Sequence, residues 1–144
     1  MKVVIDTNLL LRSISSKSSS HWLYLGILEG SFALCVSTDI LNEYAEIIEW
    51  GFRKVEIADS VLESIVNSAH IIQTEVYFFW SLIRSDPDDN KFCDCAIAAN
   101  ADYIVTDDGH FKELQKIDFP RVQVLSLELF LKVLTESETS KQPL

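Results

Sequence analysis

Glycine is scarce in this chain, with four residues among 144. Gly26, Gly30, Gly51 and Gly109 stand apart, so no glycine-rich loop exists to cradle a nucleotide phosphate and no Gly-x-Ser-x-Gly elbow to present a nucleophilic serine. Cysteine is as sparse. Cys35, Cys93 and Cys95 make no Cys-x-x-Cys pair, which argues against a zinc ribbon or a dithiol redox site. Cys93 and Cys95 would point to different sides of a helix, and the three read as buried, reduced thiols of a cytoplasmic protein. No apolar stretch approaches the ~20 residues of a membrane span. Asp6 and Asn8 interrupt the first apolar run, so the N-terminus does not read as a signal peptide. His21, His70 and His110 are scattered; only His110 lies near acids in sequence.

Basic residues are also in short supply, 12 against 22 acids, for a net charge of −10. That is awkward for a protein that grips nucleic acid, because phosphate binding normally draws on Lys and Arg. The acids are unevenly placed, however. Asp86, Asp88, Asp89 and Asp94 crowd together, Asp107 and Asp108 follow, and a bound cation would reverse part of the local field. Apolar residues make up 48%, enough to build the core of one globular domain.

The pattern predicts alternating strands and helices. Lys2 to Ile5 reads as the first strand, Phe32 to Val36 as the second, with a short strand at His70 to Gln73. Tyr103 to Val105 and Arg121 to Leu125 complete the set. Helices are expected at His21 to Glu29, from Ser37, Thr38 or Asp39 to about Trp50 before Gly51, and at Ile57 to Ala69. Others are expected at Asn90 to about Ala99, Gly109 to Lys116 and Ser126 to Leu134. Residues 135–144 read as a polar, fraying tail after a single domain at 1–134. Such alternation predicts an α/β fold in which a central parallel sheet is flanked by helices.

Two apolar strands end in carboxylates: Val3-Val4-Ile5 in Asp6-Thr7-Asn8, and Tyr103-Ile104-Val105 in Thr106-Asp107-Asp108. In open α/β sheets the working crevice lies beyond the carboxyl ends of the strands. Acids gathered there repel one another and cost desolvation unless a cation joins them, and hard cations such as Mg²⁺ or Mn²⁺ prefer oxygen ligands. Asp94 lies in a helix that is apolar nearly all round, where a lone carboxylate needs compensation, so a metal or catalytic role is expected. Glu43 falls on the shoulder of a buried stripe, equally suited to rim and site. Of Asp107 and Asp108, which cannot point the same way from an extended backbone, one is expected to be a ligand and the other a cap. Asp86, Asp88 and Asp89 read as turn and cap residues; without the glycine and distal Glu they are a poor Ca²⁺ loop.

In order, Asp6-Thr7-Asn8, Glu43-Tyr44, Asp94 and Thr106-Asp107-Asp108 resemble the PIN-domain nucleases over most of the chain. The segments Asp86-Pro87-Asp88-Asp89-Asn90-Lys91-Phe92 and Ala101-Asp102-Tyr103-Ile104-Val105-Thr106 resemble those of the toxins of toxin–antitoxin pairs. The resemblance implies a three-layer PIN-like fold, a cluster binding Mg²⁺ or Mn²⁺, and cleavage of single-stranded RNA. It implies an antitoxin protein and a second copy of the chain as partners. It places the acids on Asp6, Glu43, Asp94 and Asp108, with Asn8 and Thr106 supporting them. Asp107 departs from the pattern. A catalytically silent PIN scaffold and an RNA-processing nuclease outside toxin–antitoxin systems are the alternatives. A phospho-receiver domain fits less well, since it needs an acidic pair after the first strand and a Lys after the last. RNA grip would fall to Arg12, Lys17, Arg53, Lys54, Arg84, Lys91 and Lys112.

Tyr77-Phe78-Phe79-Trp80 fits neither helix nor strand burial, because successive side chains diverge. Some of these rings are expected at the surface as an interface, homodimerisation first, with stacking on RNA bases as the competing use.

Overall fold

The computed structural model describes residues 1–141. Five strands form one parallel sheet: β1 (Lys2–Ile5), β2 (Ala33–Val36), β3 (Ile72–Gln73), β4 (Tyr103–Val105) and β5 (Val124–Leu125). Their order is β3-β2-β1-β4-β5. β1 is central, its Val3, Val4 and Ile5 wholly inaccessible, as an apolar run with neighbours on both sides must be. Between β1 and β3 the chain steps outward through α1 (Thr7–Ile14), α2 (His21–Glu29), α3 (Thr38–Phe52) and α4 (Val55–Val66). It then returns through α5 (Asn90–Ala99) to place β4 on the far side of β1. Because such crossovers are right-handed, reversing direction puts the crossover helix α5 on the opposite face of the sheet from those before it. This is the expected α/β arrangement, a parallel sheet flanked by helices. The reversal between β1 and β4 opens a crevice at their carboxyl ends.

Several elements differ from the sequence reading. α1 falls where no helix was expected, α4 covers Val55–Val66 rather than Ile57 to Ala69, and β3 and β5 begin at Ile72 and Val124 rather than at His70 and Arg121. Three further differences have a physical reason. α3 continues through Gly51 to Phe52 and stops at Arg53, which takes the left-handed conformation. Gly51 serves packing instead: a Cβ there would come within 2.9 Å of Leu11 Cδ1 on α1. The segment Gly109–Lys116 is helical but in 3-10 form, and another 3-10 turn at Pro87–Asp89 leads into α5. Finally α6 (Leu127–Lys141) runs past Leu134, so residues 135–141 are helical where a fraying tail was expected; 142–144 lie outside the described residues. α6 is pinned near its start by Phe130, fully buried and edge-on to Phe32 at 5.1 Å. No helix among the described residues is long and apolar enough to cross a membrane.

α2 ends as expected at Gly30, whose φ of 74° is the left-handed region that glycine enters without strain. The His70 ring packs against it so closely that a Cβ would lie 2.1 Å from His70 Cδ2. Gly30→Ala should therefore destabilise the protein by about 1–2 kcal/mol or more, read as a lower denaturant midpoint at constant slope. Gly109→Ala, where a Cβ meets nothing within 4 Å, is the control and should leave the midpoint in place.

Candidate metal centre

The crevice at the β1–β4 reversal is lined by acids. Asp6 follows β1 directly; its backbone N–H donates to Val105 O at 3.1 Å, which sets it beside Thr106. Asp6 is buried, and its Oδ2 accepts from Thr106 Oγ1 at 2.8 Å. Burial raises its pKa, the Thr106 hydroxyl and the Asn8 N–H oppose that, and the charges of Asp108 and Glu43 add to it. The Thr106 oxygen also accepts from the Asp108 N–H at 3.0 Å, so one hydroxyl fixes both acids. Asn8 is exposed and lines a cleft of about 310 Å³ with Asp6, Leu9, Arg12, Asp107 and Asp108.

Glu43 occupies the boundary position that its helix phase indicated, half-buried on α3. Its two oxygens accept from the Thr7 hydroxyl and from Lys91 Nζ, the latter at 2.9 Å. Next to it in sequence, Tyr44 is fully buried and donates its hydroxyl to Ile5 O at the end of β1. That bond brings α3 to the carboxyl end of β1, and Glu43 with it.

Asp107 and Asp108 diverge as an extended backbone requires. Asp107 pairs with Arg12 at 3.3 Å and accepts from Leu127 N at 3.0 Å, capping α6. Asp108 accepts from His110 N at 2.9 Å and turns its charge toward Asp6 and Asp89. Both carboxylates act as caps, and Asp108 alone also bears on the acid cluster.

Asp94 is not brought to this cluster. It lies two residues past Phe92, about 200° around α5, and Phe92 packs inward on Phe111. Asp94 therefore faces away from the sheet. Its burial comes from the aromatic segment, which lies across this outer face, and Trp80 N–H donates to its Oδ1 at 3.0 Å. Burial raises its pKa and that N–H opposes the shift. The compensation that a lone carboxylate demands is thus a backbone amide.

In its place stands Asp89, which the sequence reading had assigned to the turn. It lies three residues before Phe92, a spacing that returns it to the inward face. Its carboxyl is pushed up to about 6 by burial, then by the charges of Asp86 and Asp108, with Asp6 contributing. His110 Nδ1 lies 3.4 Å from both Asp89 Oδ2 and Asp108 Oδ1 and 3.7 Å from Asp86 Oδ2. Asp86, Asp89 and His110 offer ligand atoms within 4.8 Å of one another. Helical phase counted back from the Phe92–Cys95–Ala96 stripe was the signal that could have found Asp89.

These features fit an oxygen-preferring divalent cation. Asp6 and Asp89 are carboxylates whose protonation is favoured first by burial and then by the charges of neighbouring acids, and the donors are oxygens with one imidazole at the rim. The sign of the pH effect follows. A carboxyl whose folded pKa is raised holds its proton more tightly folded than unfolded, so its stabilisation is present below about 4 and lost as pH rises through about 6. Metal-free protein should melt at lower temperature as pH goes from 4 to 6.5, and Asp89→Asn should flatten that slope and raise the Tm near pH 7 by about 3 °C. Differential scanning calorimetry in chelator checks this; an unaltered slope in Asp89→Asn would show that Asp89 carries no such strain.

The comparisons with known proteins agree with this architecture. A chain of the VapBC2 complex from Rickettsia felis, crystallised with a DNA fragment from its promoter, superposes with a TM-score of 0.60 at 22% identity. The match covers 88% of this chain and 98% of that one, and at such identity it speaks to fold alone. No curated protein matches by sequence. The family described as PIN domain matches residues 2–110, most of the described chain. This chain belongs to the PIN-domain family.

Proposed function

We propose that this protein is a divalent-metal-dependent endoribonuclease that hydrolyses phosphodiester bonds of single-stranded RNA in the cytoplasm, as the toxin of a toxin–antitoxin pair. The observation that carries the nuclease reading is the convergence of Asp6, Glu43, Asp89 and Asp108 at the strand reversal of a PIN domain. The likeness to a chain of VapBC2 supports the toxin reading and, with it, an antitoxin protein as partner.

Asp6, Asp89 and Asp108 would hold Mg²⁺ or Mn²⁺, with Glu43 completing the shell; Asp89 takes the place expected for Asp94. A divalent cation held there would supply charge neutralisation at the scissile phosphate and would lower the pKa of water, so that hydroxide is available as the nucleophile. The chain's own residues prepare this site. Thr106 and the Asn8 N–H fix the Asp6 carboxylate, and Thr7 and Lys91 fix that of Glu43. Among the described residues Lys91 is the one Lys or Arg in bonding contact with these four acids, so it is placed to meet a phosphate oxygen at the rim. His110, touching Asp89 and Asp108, stands where it can exchange a proton with a departing oxygen.

Cleavage of an end-labelled single-stranded RNA under single-turnover conditions tests the reading. Asp6→Asn, Asp89→Asn and Asp108→Asn should each slow Mg²⁺-supported cleavage by about 100-fold or more. Asp107→Asn should cost much less, and Asp94→Asn, which can still accept from Trp80 N–H, should remain close to wild type. Cleavage persisting in excess chelator would sink the mechanism, and an Asp94→Asn loss equal to that of Asp6→Asn would return the third acid to Asp94.

A further inference from the structure

We propose that His110 is a nitrogen ligand of the metal at the outer end of this crevice, facing Asp86 and Asp89, and that its imidazole makes the site prefer Mn²⁺ to Mg²⁺. The inference rests on the metal-dependent reading above and names the residue that selects the ion.

The fold delivers His110 to the acids. It lies in the 3-10 segment Gly109–Lys116, which Asp108 caps by accepting from the His110 N–H at 2.9 Å. The next residue, Phe111, is fully buried and meets Phe92 of α5 at 6.1 Å. Asp89 immediately precedes α5, and Asp86 precedes the 3-10 turn that leads into it. One aromatic contact therefore joins the segment carrying the imidazole to the one carrying the carboxylates.

Around His110 Nδ1 stand Asp89 Oδ2 and Asp108 Oδ1, each at 3.4 Å, and Asp86 Oδ2 at 3.7 Å. A ring N–H serves one acceptor well, at about 2.7–3.2 Å, and all three oxygens lie beyond that. Donors that share a metal ion are spaced more widely. With ligand bonds of roughly 2.0–2.2 Å, neighbouring donors of a tetrahedral ion lie roughly 3.3–3.6 Å apart. An octahedral ion draws them somewhat closer. His110 and Asp86 are partly exposed, so their side chains can draw in without repacking the core. The spacing is that of a ligand set more than of hydrogen-bond partners.

The charges agree. Three carboxylates surround a side chain that carries one positive charge at most, which leaves the complement of one divalent ion. Asp86 accepts from the Asp88 N–H through Oδ1, so its other oxygen is the one turned to His110. Mg²⁺ is held by oxygens and keeps several of its waters, whereas imidazole suits transition ions. Mn²⁺ accepts both donors, as in the di-manganese sites that combine Glu with His. Nδ1 is the ring atom turned to the acids, so the other ring nitrogen is the one left for proton exchange.

The test reads metal binding directly. Chelator-stripped protein is titrated with Mn²⁺ by electron paramagnetic resonance, and the bound ion is then displaced with Mg²⁺. Spin-echo envelope modulation of bound Mn²⁺ should show a directly coordinated nitrogen in wild type, and the pattern should change when the protein carries isotopically labelled histidine. In His110→Gln the nitrogen modulation should vanish and Mn²⁺ affinity fall by about tenfold or more, while Mg²⁺ affinity stays close to that of wild type. His110→Asp should narrow the preference by raising Mg²⁺ affinity. Bound Mn²⁺ without nitrogen modulation, modulation that survives in His110→Gln, or equal losses of Mn²⁺ and Mg²⁺ affinity in that variant would each overturn the proposal. Cleavage of single-stranded RNA by wild type with Mn²⁺ is measured in parallel. Cleavage without nitrogen modulation defeats the His110 assignment alone, whereas nitrogen modulation without cleavage upholds it and defeats the nuclease reading. A wild type that binds no Mn²⁺ defeats both.

Discussion

Burial of the Asp6 carboxylate where the strand order reverses is the constraint on which the site depends. A charged group taken out of water without partners costs several kcal/mol, so its surroundings have to be built around it. The pairing of Ile5 with Val105 carries the chain ends of β1 and β4 forward together and puts Thr106 in reach of Asp6. The Thr106 hydroxyl can donate only once, and it spends that donor on Asp6 while accepting from Asp108 N–H, so the two acids are oriented by one atom. The Tyr44 hydroxyl on Ile5 O then draws α3 inward. Each contact serves the fold and positions an acid at once.

The strands and their terminal acids were legible in the sequence because they are short-range signals: a β-branched run, a carboxylate, a helix start. Asp6, Glu43 and Asp108 lie at the crevice that the strand ends mark. Asp94 lies against the aromatic segment and Asp89 at the crevice, and the reason is long-range. An all-round apolar helix does indicate burial, but it does not say which element covers which face. Here the sheet covers one face of α5 and the aromatic segment covers the other, so a buried acid could serve either side. Gly51 misled in the same way, since a glycine needed for the approach of Leu11 looks in sequence like one that ends a helix. Residues 135–141 are polar and still helical, continuing a helix whose anchor, Phe130, lies near its start.

The aromatic segment links these two themes. Four consecutive large side chains exceeded what any single face could bury, and three of them, Tyr77, Phe78 and Phe79, are exposed. What holds so apolar a stretch at the surface is polar: an acid and an amide on α5, each bonded to the segment's backbone. Asp94 costs the protein a buried carboxylate, and in return the segment is fixed across α5 without a β-ladder of its own.

The few cations near the crevice answer the objection raised by the net charge. Arg12 is paired with Asp107 and Lys91 with Glu43, so these two bases neutralise acids at the rim. A surface cation engaged in this way contributes little free charge to attract a polyanion over distance, and salt would screen what remains. On the proposed function, affinity for RNA would be short-range, drawn from a cation held among Asp6, Asp89 and Asp108 and from Lys91 meeting phosphate at contact. Binding built on these terms should depend less steeply on salt than binding by a basic groove, because fewer counterions are released for each phosphate engaged.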